Sequence, residues 1–311
     1  MIKNIRYIES DTTYPYWNLA LEEYLMETCG EEECILYLWQ NARTIVIGRN
    51  QNPWRECKVS QLEEDGGHLV RRLSGGGAVY HDRGNLNFTF LVRRDNYDLD
   101  KQLQVICNAV NSQGLEAVRS GRNDILTDGK KFSGNAFYRQ GDKCYHHGTL
   151  MVDVDTQVLT RYLTVSDAKL KSKGVDSVKS RVTNLKALNP DITIDSLKEA
   201  LINAFGQVYG CDDVKMDAGD CDLADIERRK ERFSSWDWLF GRKIDFKHEL
   251  TGRTEAGEVT LRLQVESGIN TDLVVYSDAM DHNASTRIAE KLKGTKYTAD
   301  VLDKALAVLS E

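Results

Sequence analysis

The sequence predicts a mixture of α and β structure in two domains, and three observations lead there. With 311 residues the chain exceeds what one hydrophobic core usually organises, so a large domain with a smaller companion is expected. Strand, turn and helix signals alternate early and then give way to a β-rich block, which mixes both element types in the large domain. The C-terminal part carries a compact set of strands and helices of its own.

The elements follow from local pattern. Residues 3–9 form a strand, and Pro15 sits where a first helical turn tolerates it, ahead of Trp17, Leu21, Tyr24 and Leu25 at helical spacing. Gly30 closes that helix. The apolar runs Cys34 to Trp39 and Thr44 to Ile47 read as buried strands, and Pro53 opens an amphipathic helix that ends at Gly66-Gly67. Leu86, Phe88, Phe90 and Val92 alternate with the period of a half-buried strand, and a helix over 100–113 stops at Gly114. Between 115 and 154 the turns Thr127-Asp128-Gly129 and Gln140-Gly141-Asp142 separate three strands of a meander. Helical periodicity returns at 194–208. The acidic stretch Cys211 to Asp225 offers little to a core and reads as a surface excursion. Strands near 246–250, 257–266 and 269–277 and helices near 284–293 and 298–310 complete the chain. The domain boundary falls near 243, giving domains 1–243 and 244–311.

Composition narrows the function classes. Hydrophobic residues at 41% and charged residues at 29% are ordinary for a soluble protein, and a formal charge of −7 argues against nucleic acid or another polyanion as partner. The seven cysteines are odd in number and scattered without a C-x-x-C, which favours a reducing cytoplasm over a disulfide framework or a thiolate zinc site. MIKNIRYIES lacks the apolar core of a signal peptide, and no apolar run of about 18 residues follows, so a cytoplasmic protein with no membrane partner is expected.

Three segments could carry chemistry. In Arg71-Arg72-Leu73-Ser74-Gly75-Gly76-Gly77-Ala78-Val79-Tyr80-His81-Asp82, consecutive glycines expose backbone amides and accept positive φ, so a phosphate or carboxylate can lie against the main chain with Arg72 adding charge. No Walker loop exists in the chain. The bland reading of this segment is a flexible surface loop. In Ser120-Gly121-Arg122-Asn123-Asp124 and Lys131-Phe132-Ser133-Gly134-Asn135-Ala136, a lysine enters a strand of small residues, with Asp124 as a metal or ammonium partner. On pattern alone a lysine beside an Asp-Gly turn is more often a solvated hairpin residue. In His146-His147-Gly148-Thr149, adjacent histidines point to opposite faces of a strand, so at most one reaches a shared pocket and a two-histidine metal site is disfavoured. A surface pair at a strand end is the alternative.

These segments, in this order, resemble the biotin/lipoate ligase and transferase superfamily, and within it the bacterial lipoate-protein ligase A family. The likeness takes in Tyr16-Trp17-Asn18-Leu19-Ala20 with Glu22-Glu23, Ile47 to Trp54, the loop at 71–82, Gly84-Asn85, Ser120 to Asp124, the lysine strand at 131–138 and His146 to Thr149. Lys179 to Leu185 and Ser234-Ser235-Trp236 extend it. Leu73 departs from the small polar residue frequent there, and 211–232 matches nothing in the family pattern.

The resemblance implies an α+β catalytic domain around a mixed, largely antiparallel sheet flanked by helices, with a small α+β C-terminal accessory domain. It implies that ATP and lipoyl-AMP are bound by Arg72, Ser74, Gly75, Gly76, Gly77, Ala78, Val79, Tyr80, Asn85, Asp124 and Lys131. Lipoate falls to Trp17, Leu19, Glu22, Arg72, Gly77, Lys131, His147 and Thr149, with Asn85 and His147 along a tunnel and Trp17, Leu19 and Glu22 near its mouth. Lys131 is the catalytic residue, touching both the lipoate carboxylate and the α-phosphate, and Asp124 contacts Mg2+. The implied reaction activates lipoate with ATP, releases pyrophosphate, and transfers the lipoyl group to a lysine of an acceptor, either a glycine-cleavage H protein or an E2 lipoyl domain of a 2-oxoacid dehydrogenase. A cytoplasmic monomer is expected. Two alternatives stay open: an ATP-independent lipoyl or octanoyl transferase working through a thioester at Cys144, and a lipoate-binding protein without catalysis.

Overall fold

The structure is a computed structural model and describes residues 2–121, 124–163, 182–241, 247–277, 279 and 283–309. The chain folds as two compact units, Met1–Gln51 with Arg55–Ser234, and Asn52–Trp54 with Ser235–Glu311. The expected boundary near 243, the pair Arg122-Asn123 and the run Lys179 to Arg181 lie outside the described residues.

In the larger unit an eight-stranded sheet runs in the order β11-β1-β2-β6-β10-β9-β8-β7. Its strands are β1 (Asn4–Glu9), β2 (Glu33–Trp39), β6 (Asn85–Arg93), β7 (Ala117–Ser120), β8 (Asp124–Thr127), β9 (Lys130–Gln140), β10 (Lys143–Met151) and β11 (Asp213–Met216). β1 pairs parallel with β2 and β11, and the other neighbours are antiparallel. A second sheet, of three strands, has the order β4-β3-β5, built from β3 (Thr44–Ile47), β4 (His68–Arg71) and β5 (Val79–His81). The helices of this unit are α1 (Pro15–Thr28), α2 (Pro53–Glu56), α3 (Val59–Glu64), α4 (Leu99–Ser112), α5 (Thr156–Tyr162), α6 (Leu185–Leu188), α7 (Ile194–Tyr209) and α8 (Leu223–Ser234), with the start of α2 grouping with the smaller unit.

Side chains alternate across the large sheet, and its two faces do different work. Leu36, Leu38, Phe88, Phe90, Val92, Ile125 and Cys144 point to the face packed by Val105, Ile106 and Ala109 of α4 and Leu197, Leu201 and Phe205 of α7. Burial of each large apolar side chain there contributes about 1.5–3 kcal/mol. Asp98 caps α4 by accepting from Lys101 N at 3.1 Å, and α7 starts on a Thr193–Ser196 capping box and stops at Gly210 with φ 68°. The opposite face carries Tyr37, Trp39, Asn87, Thr89, His147 and Thr149, and α1 brings the buried Asn18, Leu19 and Glu22 onto that side.

The smaller unit is an antiparallel sheet of β12 (Lys247–Thr254), β13 (Gly257–Glu266) and β14 (Ile269–Ser277). Its core joins Val259, Leu261 and Leu263 to Ile288 and Leu292 of α10 (Ala284–Leu292) and to Val301 and Ala305 of α11 (Val301–Val308), while a short α9 (Trp236–Leu239) precedes the sheet. Trp54 stacks on Phe240 in this unit, with centroids 4.9 Å apart.

Three sequence expectations need correction. The meander between 115 and 154 has four strands, because Gly121, at φ 60°, lies in a turn that folds β7 back on β8. The helix expected from Pro53 to Gly66 is two short helices, interrupted where Cys57 bridges to Leu163. The stretch 211–225 is no surface excursion. Its β11 extends the large sheet, and α8, which begins in it, packs on α1 through the buried Ile226 and Phe233 while Arg229 and Arg232 pair with the buried Glu23. High charge hid this, because two apolar residues at helical spacing suffice when the charged ones find partners. Ile226→Ala should therefore lower unfolding free energy by about 2–4 kcal/mol in urea denaturation, where an excursion residue would change it by under about 0.5 kcal/mol.

Candidate active site

The glycine loop leaves β4 at Arg71 and re-enters at β5, and three contacts fix its path. Arg72 N donates to Ile47 O at 3.0 Å, Arg49 N donates to Ser74 O at 2.9 Å, and the loop lies so close to Gly48 that a Cβ there would come within 2.2 Å of Gly76 O. The loop is further held from inside by Arg72. The residue is 5% exposed; its guanidinium donates to the carbonyls of Val46 (3.1 Å), Gly75 (2.7 Å) and Gly77 (2.8 Å) and to Ser74 Oγ (3.0 Å), and burial lowers its pKa. Of the glycines in this run only Gly76 uses the freedom to take positive φ, at 92°. Gly75 and Gly77 instead leave open space where a side chain would stand, which exposes backbone to an incoming group.

A buried chain of hydrogen bonds ties this loop to the sheet and to α1. Glu22 Oε1 accepts from Thr89 Oγ1 at 2.7 Å and lies 2.8 Å from His147 Nδ1, and His147 Nε2 lies 2.8 Å from Ser74 Oγ. Ser74 N donates to the Tyr145 hydroxyl at 3.1 Å, and burial holds that phenol well above its usual pKa. The adjacent His146 points to the other face, where Nε2 lies 2.8 Å from Asn135 Oδ1 and burial lowers its pKa to about 3. The two histidines thus divide between the faces as the strand period requires, and neither forms a solvated surface pair.

Lys131 reaches the polar face through a β-bulge. β8 and β9 pair Asp124 with Gly134 and Ile125 with Ser133, then slip to pair Leu126 with Lys131, leaving Phe132 as an extra residue. Ser133 and Phe132 are both buried, Phe132 in the apolar core, so the alternation is reset and Lys131 joins the face of Gly134. A Cβ on Gly134 would stand 3.1 Å from Lys131 Nζ. The ammonium pairs with Asp124 Oδ1 at 2.7 Å, the two side chains being 33% and 37% exposed.

Between the glycine loop and the sheet lies a cavity of about 330 Å3. Arg72, Gly76, Gly77, Ala78, Val79 and His81 line it from the loop side with Leu19 and Val46, and Trp39, Asn87, Lys131, Gly134, Asn135, Ala136, His147, Gly148 and Thr149 from the sheet. Register places Trp39, Asn87, Thr149, Gly134 and Asp124 side by side across five strands, so the cavity follows a row spanning roughly 19 Å at the spacing of adjacent strands. One end holds Asp124 and Lys131, and the other is the apolar corner of Trp39, Leu19 and Val46.

Among the residues expected from sequence, Arg72, Gly76, Gly77, Ala78, Val79, Leu19, Lys131, His147 and Thr149 converge on this cavity. Asp124 joins through Lys131, and Ser74 and Glu22 lie behind His147, so Glu22 is a buried support rather than a residue of the mouth. Gly75, Tyr80, Asn85 and Trp17 do not line it, and Asn85 instead donates to Asn87 Oδ1 at 2.9 Å. Sequence reasoning missed Trp39, Val46, His81, Asn87 and Asn135. The alternation of β6 could have found Asn87, because it sets the odd positions on the face opposite Phe88 and Phe90.

Residues 14–206 match the family described as lipoyl protein ligase A/B catalytic domain, and residues 243–310 match bacterial lipoate protein ligase C-terminus. The chain is 40% identical over 301 residues to lipoate-protein ligase A of Psychrobacter cryohalolentis, which covers 94% of this chain and 89% of the relative. It is also similar to the crystal structure of P. falciparum LipL1 in complex with lipoate, at TM-score 0.68 and 30% identity over 98% of this chain and 94% of that one. The bi-partite lipoate protein ligase of Thermoplasma acidophilum, described with its E2 lipoyl domain, matches at TM-score 0.66 and 25% identity over 77% and 96%. The chain belongs to the lipoate-protein ligase A family, whose members are ATP-dependent ligases.

Gly48→Ala should displace Gly75 and Gly76 from the loop path without reaching the core. We expect lipoyl-adenylate formation, followed as pyrophosphate release, to fall about a hundredfold, as for misplacement of a reacting group by about 1 Å, with the melting temperature little changed.

Proposed function

We propose that this chain condenses lipoate with ATP in the cavity under the glycine loop, and that Lys131 is the residue on which the step depends. The observation that carries this reading is the bulge at Phe132, which brings the Lys131 ammonium to the same end of the cavity as Asp124. A carboxylate and a triphosphate repel each other, so a cation between the attacking oxygen and the α-phosphorus is the first requirement of the reaction.

In the first step a lipoate carboxylate oxygen attacks the α-phosphorus, its bond to the pyrophosphate oxygen breaks, and lipoyl-AMP remains. Negative charge gathers on the phosphoryl oxygens. Lys131 and the amides around Gly76 and Gly77 face that charge, already oriented, and need no reorganisation at the moment of reaction. Arg72 braces the loop, its donors committed to the carbonyl of Val46 in β3 and to those of Gly75 and Gly77 in the loop. In the second step the acceptor lysine amine attacks the lipoyl carbonyl, the anhydride bond breaks and AMP leaves. No protein nucleophile enters.

Magnesium would bind at Asp124, since one carboxylate beside a triphosphate is a donor set that Mg2+ completes with phosphate oxygens and water. It would neutralise phosphate charge. We favour E2 lipoyl domains as acceptors, in line with the Thermoplasma ligase, with the H protein as the other carrier class. The smaller unit, Asn52–Trp54 with Ser235–Glu311, serves as an accessory domain, and seven free cysteines suit a reducing cytoplasm. Among the described residues no helix is long and apolar enough to cross a membrane.

A thioester route would require Cys144 to meet a donor. It is 1% exposed on the apolar face with Cys34 and Val92, across the sheet from the cavity. Cys144→Ser should therefore keep ATP-dependent lipoylation within about threefold, and abolition of transfer in that variant would favour the transferase. Lys131→Ala should lose about a hundredfold to a thousandfold in pyrophosphate release, with a melting temperature close to wild type because a partly exposed ion pair stabilises little. Near wild-type adenylation by Lys131→Ala would end this reading.

A further inference from the structure

Ser74, His147 and Glu22 have the spacing of a nucleophile, a base and an orienting carboxylate, with Ser74 Oγ 2.8 Å from His147 Nε2 and His147 Nδ1 2.8 Å from Glu22 Oε1. Ser74 is nevertheless 0% exposed, does not line the cavity, and accepts from Arg72 Nε at 3.0 Å. Its hydroxyl cannot meet a substrate, so the constellation acts on the loop rather than on a bond.

The direction of each hydrogen bond follows from groups that can only donate or only accept. Arg72 Nε is a donor, so Ser74 Oγ accepts there and its single proton goes to His147 Nε2. A ring nitrogen that accepts carries no proton, which leaves the ring proton on Nδ1, aimed at Glu22 Oε1. A second chain runs the same way. Trp39 Nε1 is a donor and reaches Thr89 Oγ1 at 3.1 Å, and Thr89 gives its own proton to the same Glu22 oxygen at 2.7 Å. One chain begins at the glycine loop and the other at the cavity wall, and both end on one carboxylate oxygen. With its proton on Nε2 instead, the ring would set a bare nitrogen against Glu22, and Ser74 would lose the acceptor for its hydroxyl, so both contacts of His147 would fail together.

We propose that Glu22 is a positioning residue for adenylation: by taking the Nδ1 proton of His147 it fixes the ring so that Nε2 holds the Ser74 hydroxyl, and so sets the glycine loop against the sheet. The proposal rests on the adenylation reading, in which the amides around Gly76 and Gly77 face the phosphoryl oxygens. Glu22 lines no part of the cavity, so its effect reaches the reaction through the place of the loop.

The first measurement is the tautomer of His147, read from the nitrogen-15 shifts of its ring. The proton should lie on Nδ1 in wild type, stay there in Glu22→Gln, whose amide oxygen can take the place of Oε1, and move to Nε2 in Glu22→Leu. The second is pyrophosphate release. Glu22→Leu and Ser74→Ala should each lower kcat about ten- to hundredfold with KM for ATP and lipoate within about threefold, while Glu22→Gln stays close to wild type. Because the two residues act through one ring, the double variant Glu22→Leu with Ser74→Ala should be no slower than the worse single one. A proton on Nε2 in wild type, or losses that multiply in the double variant, would overturn the proposal, and the wild-type tautomer decides even if the buried variants fold poorly. A wild-type protein with the expected tautomer that releases no pyrophosphate from ATP and lipoate would instead strike the adenylation reading.

Discussion

A carboxylate buried beneath the glycine loop holds the site together. Glu22 is 1% exposed and is satisfied by Thr89 from the sheet and by His147, whose other nitrogen meets Ser74 of the loop. One side chain of α1 thus links the helix, the central strands and the glycine loop. An ion or dipole left unpaired at such depth costs several kcal/mol, so each member of the chain holds the others in place. Arg72 completes the arrangement from the far side of Ser74, and the loop keeps its shape by contacts that belong to the protein rather than to a ligand.

The large sheet separates stability from chemistry by parity. Even-numbered positions of β6 and β10 meet helices and supply the apolar core, while odd-numbered ones carry Asn87, Thr89, His147 and Thr149. This is why a cysteine and a histidine only three residues apart, Cys144 and His147, have such different surroundings. The same division lets polar groups accumulate near the cavity without weakening the packing beneath α4 and α7.

Much of this was legible in the sequence, and the limits have physical causes. The glycine loop, the lysine strand and the histidine pair announce themselves because their residue types are costly elsewhere: consecutive glycines forfeit packing, and adjacent histidines on a strand cannot share a face. Helix ends at Pro15 and Gly114 were readable for the same reason. What stayed hidden depends on register. Trp39, Val46, His81 and Asn87 come from four strands of two sheets, and nothing local says that they share one end of a cavity. Nor does composition show that Arg229 and Arg232 would find Glu23, which is what turns a charged stretch into a packed helix.

Phe132 gives the lysine strand a property that residue identity does not convey. Because the strand period is two, the extra residue acts as a frame marker: it decides which side of the sheet every residue before it in β9 faces. Removing a single position there would leave Lys131 and its glycine and alanine neighbours all present in the chain, yet turn the ammonium toward the helices and away from the cavity. A reading frame of this kind makes point substitutions in the segment far more tolerable than single-residue insertions or deletions. In this strand the active site is stored in a count of residues as much as in their names.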